Sequence, residues 1–306
     1  MRIDFATPDM SDVIGHDSQW YFERELLKHV DNEGKLDWLF AWYMSSAFHG
    51  YAFKMPSVEI PSNRSYKVMG RISDLHHGNP ADCVKWLNNI ELDLLLFPYR
   101  SVTTLNRNYY WDNVKAEKAF LPWSYEPSLY YPSEKHEYDV TFLGAVESGA
   151  YPLRYAVGKR LPSLCKDMGW SLFTRPRQPY LSSIKSWENH PDYVAGKSYA
   201  RALRSGRVTI FGSSIWRYPI KKWTHSLGSG TCVLANAPLN SDRLGLKDGY
   251  NYIEINKSNW AELLEWILDD EDERARIAEN GLRLAREKHI HEVRVKEMLK
   301  ILEAYS

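Results

Sequence analysis

The stretch from Val208 to Asn236, VTIFGSSIWRYPIKKWTHSLGSGTCVLAN, limits the possible folds more than any other part of the chain. Val208 to Phe211 is a short apolar, β-branched run closed by Gly212, the pattern of a strand buried in a parallel sheet. Ser213 or Ser214 can help cap the helix after it. From Arg217 onward, Tyr218, Trp223 and Leu227 recur among Lys221, Lys222 and His225 in a mixed helical pattern that stops at Gly228-Ser-Gly230. Thr231 to Ala235 then reads as the next buried strand. A loop leaving the carboxyl end of a parallel strand faces the crevice where open α/β sheets bind ligands. With Arg217 and Lys222 in the first turns of the helix, and backbone groups at Gly212 to Ser214, an anion is the expected occupant.

The string KWTHSLGSGT from Lys222 to Thr231, followed by Val233 to Ala235, resembles the donor-site segment of GT-B glycosyltransferases, above all the group 1 type and the CgeB-like spore-maturation proteins. Ile277 to Gly281, IAENG, is similar to the carboxyl end of the same proteins, so the likeness spans roughly Asp139 to Lys288 and is weak over the first 120 residues. It implies an α/β fold of GT-B type, two Rossmann-like domains with parallel sheets facing across a cleft. It also implies transfer of a sugar from a nucleotide-sugar donor, a UDP-, GDP- or other nucleoside diphosphate sugar, to an acceptor such as a glycan or protein, without a metal ion or other cofactor. In such proteins an arginine or lysine after the first strand of the second domain meets the donor diphosphate; here that strand ends at Gly144, and Arg154 is the matching position. The two glutamates of the family's E-x7-E pair fall on Arg217 and His225, so the sugar contacts of the retaining enzymes do not carry over. His225 either touches the donor sugar or packs beneath the loop after Gly212.

At 306 residues the chain has room for two domains, each with its own core. Lysines plus arginines equal aspartates plus glutamates at 39 each, so no global field draws the protein to nucleic acid or to an anionic membrane. Cys83, Cys165 and Cys232 are odd in number and far apart in sequence, which argues for reduced thiols in a cytoplasmic protein rather than a disulfide framework. No apolar run approaches a membrane span, and the start has no signal-peptide pattern. The 12 tryptophans and 20 tyrosines serve chiefly packing, with some free to line a sugar site.

In chain order, Arg2 to Ala6, Leu36 to Tyr43, Tyr66 to Ile72 and Asp93 to Phe97 read as strands of a first domain, with helices over Ser18 to Val30, Pro80 to Asn89 and Trp111 to Glu117. The proline- and aromatic-rich crossing from Phe120 to Pro132 sets the boundary between Leu121 and Glu137, giving domains of 1–130 and 131–306. Further strands lie at Asp139 to Gly144, Trp170 to Thr174 and Tyr252 to Ile255. Further helices lie at Tyr151 onward, Asp192 to Arg204, Trp260 to Leu268, Asp272 to Lys288 and Glu292 to Tyr305. The irregular stretch from Arg175 to Pro191 reads either as a lid over the donor or as a long loop.

Asp74, His76 and His77 leave the carboxyl end of the strand that ends at Ile72, where a histidine oriented by a carboxylate can take a proton near neutral pH. By resemblance this cluster is the candidate catalytic base for the acceptor hydroxyl; its structural alternative is a capped helix start with one buried histidine. Asp270-Glu-Asp272 imitates a metal-binding D-x-D motif but belongs to an acidic helix start, where carboxylates complement the helix dipole. His289 and His291 do not share a helix face, so they do not suggest a metal pair. Two other functions fit the same residues: a binding protein that kept the fold without the chemistry, and an enzyme that glycosylates modified DNA, against which the zero net charge argues.

Overall fold

The computed structural model describes residues 1–5, 19–31, 33–41, 60–71, 80–98, 109–176, 194 and 196–305. Two parallel sheets of five strands each organise it. The first contains β1 (Ile3–Phe5), β2 (Trp38–Ala41), β3 (Lys67–Arg71), β4 (Leu94–Phe97) and β5 (Glu117–Phe120) in that spatial order. Alternation along the strands sends Met69, Leu94 and Leu96 to one face and Val68, Leu95 and Phe97 to the other. The first face is covered by Phe22 and Leu26 of α1 (Gln19–Leu27) and by Val295, Met298 and Leu302 of the final helix of the chain. The second is covered by Val84 and Leu87 of α2 (Pro80–Asn89) and by Trp111 of α3 (Tyr109–Asn113).

The sequence reading carries a helix to Glu117, whereas α3 ends at Asn113 and Glu117–Phe120 pairs with β4. This strand lies at the sheet edge and only partly buries its residues, so it needs no apolar run that a sequence pattern could reveal.

The second sheet has the order β10-β9-β8-β6-β7, with β6 (Tyr138–Gly144), β7 (Leu172–Pro176), β8 (Gly206–Phe211), β9 (Cys232–Ala235) and β10 (Ile253–Glu254). Its helices are α4 (Pro152–Met168), α5 (Gly196–Arg204), α6 (Lys222–Gly228), α7 (Ser241–Leu244), α8 (Trp260–Asp269) and α9 (Glu271–Lys288). Val208, Ile210 and Leu234 pack on Leu153, Val157 and Leu161 of α4 and Leu264 of α8. Phe211, Val233 and Ala235 pack on Leu203, Trp223 and Leu227. The chain runs from β6 to β7 on one side and then to β8 on the other, so the strand order reverses between β6 and β8. Crevices open at such switch points, at the carboxyl ends of the strands.

The chain crosses between the sheets after Phe120 and returns through α10 (His291–Ala304), the helix already seen on the first sheet. The two crossings are paired: the Tyr125 amide donates to the His289 carbonyl at 2.9 Å and the His291 amide to the Tyr125 carbonyl at 3.1 Å. Cys165 and Cys232 are buried free thiols. Among the described residues no helix is long and apolar enough to cross a membrane.

Candidate functional site

At the end of β6 the backbone of Gly144 has φ +108°, a conformation that only glycine adopts without strain. A Cβ at this position would stand 2.9 Å from the Lys222 ammonium and 3.5 Å from a guanidinium nitrogen of Arg154. Two cations from different helices thus meet over one glycine. Lys222 opens α6, is 9% exposed, and donates from Nζ to the Leu143 carbonyl. Arg154 lies in the first turn of α4, which Pro152 opens, and is 6% exposed. Its Nε donates to the Gly212 carbonyl at 2.5 Å and its guanidinium lies 4.1 Å from the centre of the Tyr151 ring. Arg154 therefore ties the helix after β6 to the end of β8, across the switch point. Each cation is thus held by a backbone carbonyl.

The loop after β8 is built by close approach. A Cβ on Gly212 would press on Leu153 and on Asn236 Oδ1, both at 3.2 Å. That same oxygen accepts from the Ser213 amide at 2.7 Å, and the Ser213 hydroxyl reaches the Asn236 carbonyl at 3.4 Å. Ser214 is 4% exposed, and its hydroxyl has no hydrogen-bond partner among the described residues.

Of the three expected cations only Arg154 and Lys222 stand within 4 Å of the Gly144 point. The expected helix over residues 217–228 starts only at Lys222, with no side-chain cap from Ser213 or Ser214. Two backbone features delay it: Arg217 is left-handed at φ +51°, and Pro219 disfavours helical geometry in the residue before it. The exposed Arg217 side chain donates from Nε and a terminal nitrogen to the Ala237 carbonyl at 3.1 and 2.8 Å, so it fastens the loop after β9 to the loop after β8.

His225, expected either at the donor sugar or beneath the loop, is buried among aromatic rings. It is 3% exposed, stacked on Tyr130 with ring centres 4.2 Å apart and met edge-on by Tyr199. Burial, then the charges of Lys221 and Lys222, hold its pKa well below the ordinary imidazole range, so the ring is neutral.

Asp74, His76 and His77 lie outside the described residues, as does the proposed lid from residue 177 to 191. Asp270 accepts from the Glu273 amide at 3.0 Å, the helix-capping role expected of it in place of a D-x-D metal site. His289 bonds the Leu244 carbonyl and Arg294, and His291 bonds the Ser124 hydroxyl. The sequence reading overlooks Asn236, whose position directly after a buried strand was its one visible signal. It also overlooks Arg71 and Lys221, which approach the same Trp123 ring at 4.3 and 4.8 Å from opposite halves of the molecule.

Residues 163–300 match the family described as Glycosyl transferase-like. Among solved structures, sucrose-phosphate synthase from Thermosynechococcus elongatus superposes with a TM-score of 0.58 at 11% identity, over 93% of this chain and 77% of that one. HepE of Anabaena, solved with UDP-glucose, superposes with a TM-score of 0.54 at 10% identity, over 88% of this chain and 79% of that one. The pneumococcal O-GlcNAc transferase GtfA, solved with UDP and GlcNAc, gives 0.51 at 10% identity, over 94% of this chain and 60% of that one. No curated protein matches the sequence. The class is thus a GT-B fold of two Rossmann-like halves, with a glycosyl transferase-like second half.

Proposed function

We propose that the protein is a glycosyltransferase that takes its sugar from a nucleoside diphosphate sugar, with the diphosphate seated over Gly144 between Arg154 and Lys222. The observation that carries this reading is the convergence of two buried cations within 3.5 Å of one point at the switch-point crevice. Two like charges held at one point favour an anion between them. As the glycosidic bond breaks, negative charge develops on the leaving diphosphate. Preorganised cations stabilise that charge at no cost in reorganisation, a role that a metal ion fills in other transferases.

The domain division at 130/131 belongs to this reading, with α10 returned to the first half. The first half would present the acceptor, and Asp74, His76 or His77 would supply the base that takes the acceptor proton. HepE and GtfA, which share the fold, are described with UDP-containing ligands, and this makes a uridine nucleotide the first donor to try. The Lys222 to Thr231 string supports a likeness to the CgeB-like proteins.

Calorimetric titration with UDP, GDP, ADP and TDP tests the site. Loss of Arg154 or Lys222 to alanine is expected to weaken the preferred nucleotide about ten- to a hundredfold, the effect of a lost charge-assisted contact of about 1.5 to 3 kcal/mol. Binding that ignores both substitutions would sink the site. Binding with no hydrolysis or transfer of the matching nucleotide sugar would favour a non-catalytic protein instead.

A further inference from the structure

Between Arg217 and Lys222 the chain leaves the second half, enters the core of the first, and returns. Arg217 makes the turn and is fixed on three sides: its guanidinium to the Ala237 carbonyl, its amide to the Ser214 carbonyl at 2.9 Å, and its carbonyl from the Leu239 amide at 2.5 Å. The next residue, Tyr218, is 5% exposed and lies among Val68, Leu95, Phe97 and Val114 of the first half. Trp216 stacks on Tyr218 with ring centres 6.3 Å apart and packs on the same cluster. Ile220 touches both cores, and Lys221 lies on Trp123. Lys222 comes next, with its ammonium at Leu143.

From this path we infer that Tyr218 is a positioning residue for Lys222, so that anion binding in the second half is coupled to the seating of the first half on residues 216–220. Helix α6 is only seven residues long and has no side-chain cap. So short a helix does not hold its own first turn, and the segment before it must place that turn. Tyr218 and Ile220 are the apolar anchors of that segment, and both rest on the first half. A Lys222 backbone fixed four residues after Tyr218 sets where the ammonium stands relative to Gly144. By linkage, an anion that draws on Lys222 strengthens the contact between the halves by the same free energy.

The coupling rests on the diphosphate reading, and the test separates the two. Titrate UDP, with inorganic pyrophosphate as a base-free probe, into the wild type, Tyr218→Ala, Tyr218→Phe, Lys222→Ala and the Tyr218→Ala/Lys222→Ala double variant. Tyr218→Ala is expected to weaken binding about tenfold although Tyr218 belongs to the first core, while Tyr218→Phe, which keeps the ring, stays within about twofold. In the double variant the loss should equal that of Lys222→Ala alone, because Tyr218 acts through Lys222; a general loosening of the fold would add to it. Should Tyr218→Ala fail to fold, Trp216→Ala, at a half-buried position on the same stack, replaces it in the cycle. Unchanged affinity in the folded Tyr218 or Trp216 variant, or additive losses in the double variant, overturns the coupling and leaves the diphosphate site standing. A wild type that binds neither probe overturns the site itself, and the coupling with it.

Discussion

Gly228 lies hard against the ring of Tyr125: a methyl group on this glycine would come within 2.4 Å of the ring. Tyr125 belongs to the first crossing between the halves, and it is 1% exposed. Pro132, farther along the same crossing, lies against Gly230, which has φ +71°. The Gly-Ser-Gly turn that ends α6 therefore serves as the seat of the crossing segment.

Gly228→Ala is expected to destabilise the protein by about 1 to 3 kcal/mol, the usual cost of forcing extra volume into a filled core. The urea midpoint reads this directly. A midpoint equal to that of the wild type would mean that the Tyr125 ring has room to give way.

These glycines show where the sequence informs and where it misleads. In the string the turn reads as a helix stop beside an anion site, and the helix does stop there. The reason for two glycines lies about a hundred residues earlier, in Tyr125 and Pro132, and no local pattern carries a contact of that range. Strands β6, β8 and β9 were legible because a strand buried on both faces reads as a largely apolar run, interrupted here by the paired Thr141 and Thr209 within β6 and β8. The approach of Arg154 and Lys222 to one glycine fits the sequence reading, which took Lys222 from the helix after a parallel strand and Arg154 from the family resemblance. The expected place of Arg217 in the first turn of that helix was wrong, because its left-handed backbone and Pro219 hold off the helix into which its side-chain spacing fits. His225 was half legible: the reading kept packing beside sugar contact, and the stack on Tyr130 from the crossing segment, which no local pattern carries, shows the packing.

Asp270→Ala removes the cap of α9 and should cost about 1 kcal/mol of stability. Nucleotide affinity and its response to divalent ions should stay as in the wild type. A loss of affinity with the fold intact would revive the metal reading of the acidic run.

Three buried histidines make the protein sensitive to acid. Burial first, and then the charge of Arg294, lowers the pKa of His289 from 6.5 to about 4. His225 and His291 are held well below the ordinary range, in both cases chiefly by burial. The unfolded chain thus takes up protons near pH 6.5 while the folded one does not, so stability falls as the pH drops below 6.5, and the share from His289 levels off below about 4. His289 alone should cost about 2 kcal/mol between pH 6.5 and 5. Urea midpoints across that range check the sign, and His289→Gln should flatten the slope by up to about 1.4 kcal/mol per pH unit. A midpoint that rises toward pH 5 would contradict the burial of these rings.

Gly144→Ala tests the geometry of the anion site without removing either cation. The substitution carries two penalties: backbone strain at φ +108°, and a methyl group 2.9 Å from the Lys222 ammonium. Strain alone should cost about 1 to 3 kcal/mol of stability. Gly169→Ala supplies the control, because Gly169 ends α4 with φ +73° and a methyl group there meets nothing within 4 Å. Both variants should lower the urea midpoint, yet only Gly144→Ala should weaken UDP, by about tenfold or more if the ammonium leaves the Leu143 carbonyl. Lysine is a point charge on a flexible stem and can move aside, so the methyl group displaces the charge more readily than it unfolds the chain. Equal UDP affinity in Gly144→Ala and Gly169→Ala would mean that the anion does not sit over Gly144, even if Arg154 and Lys222 both prove necessary.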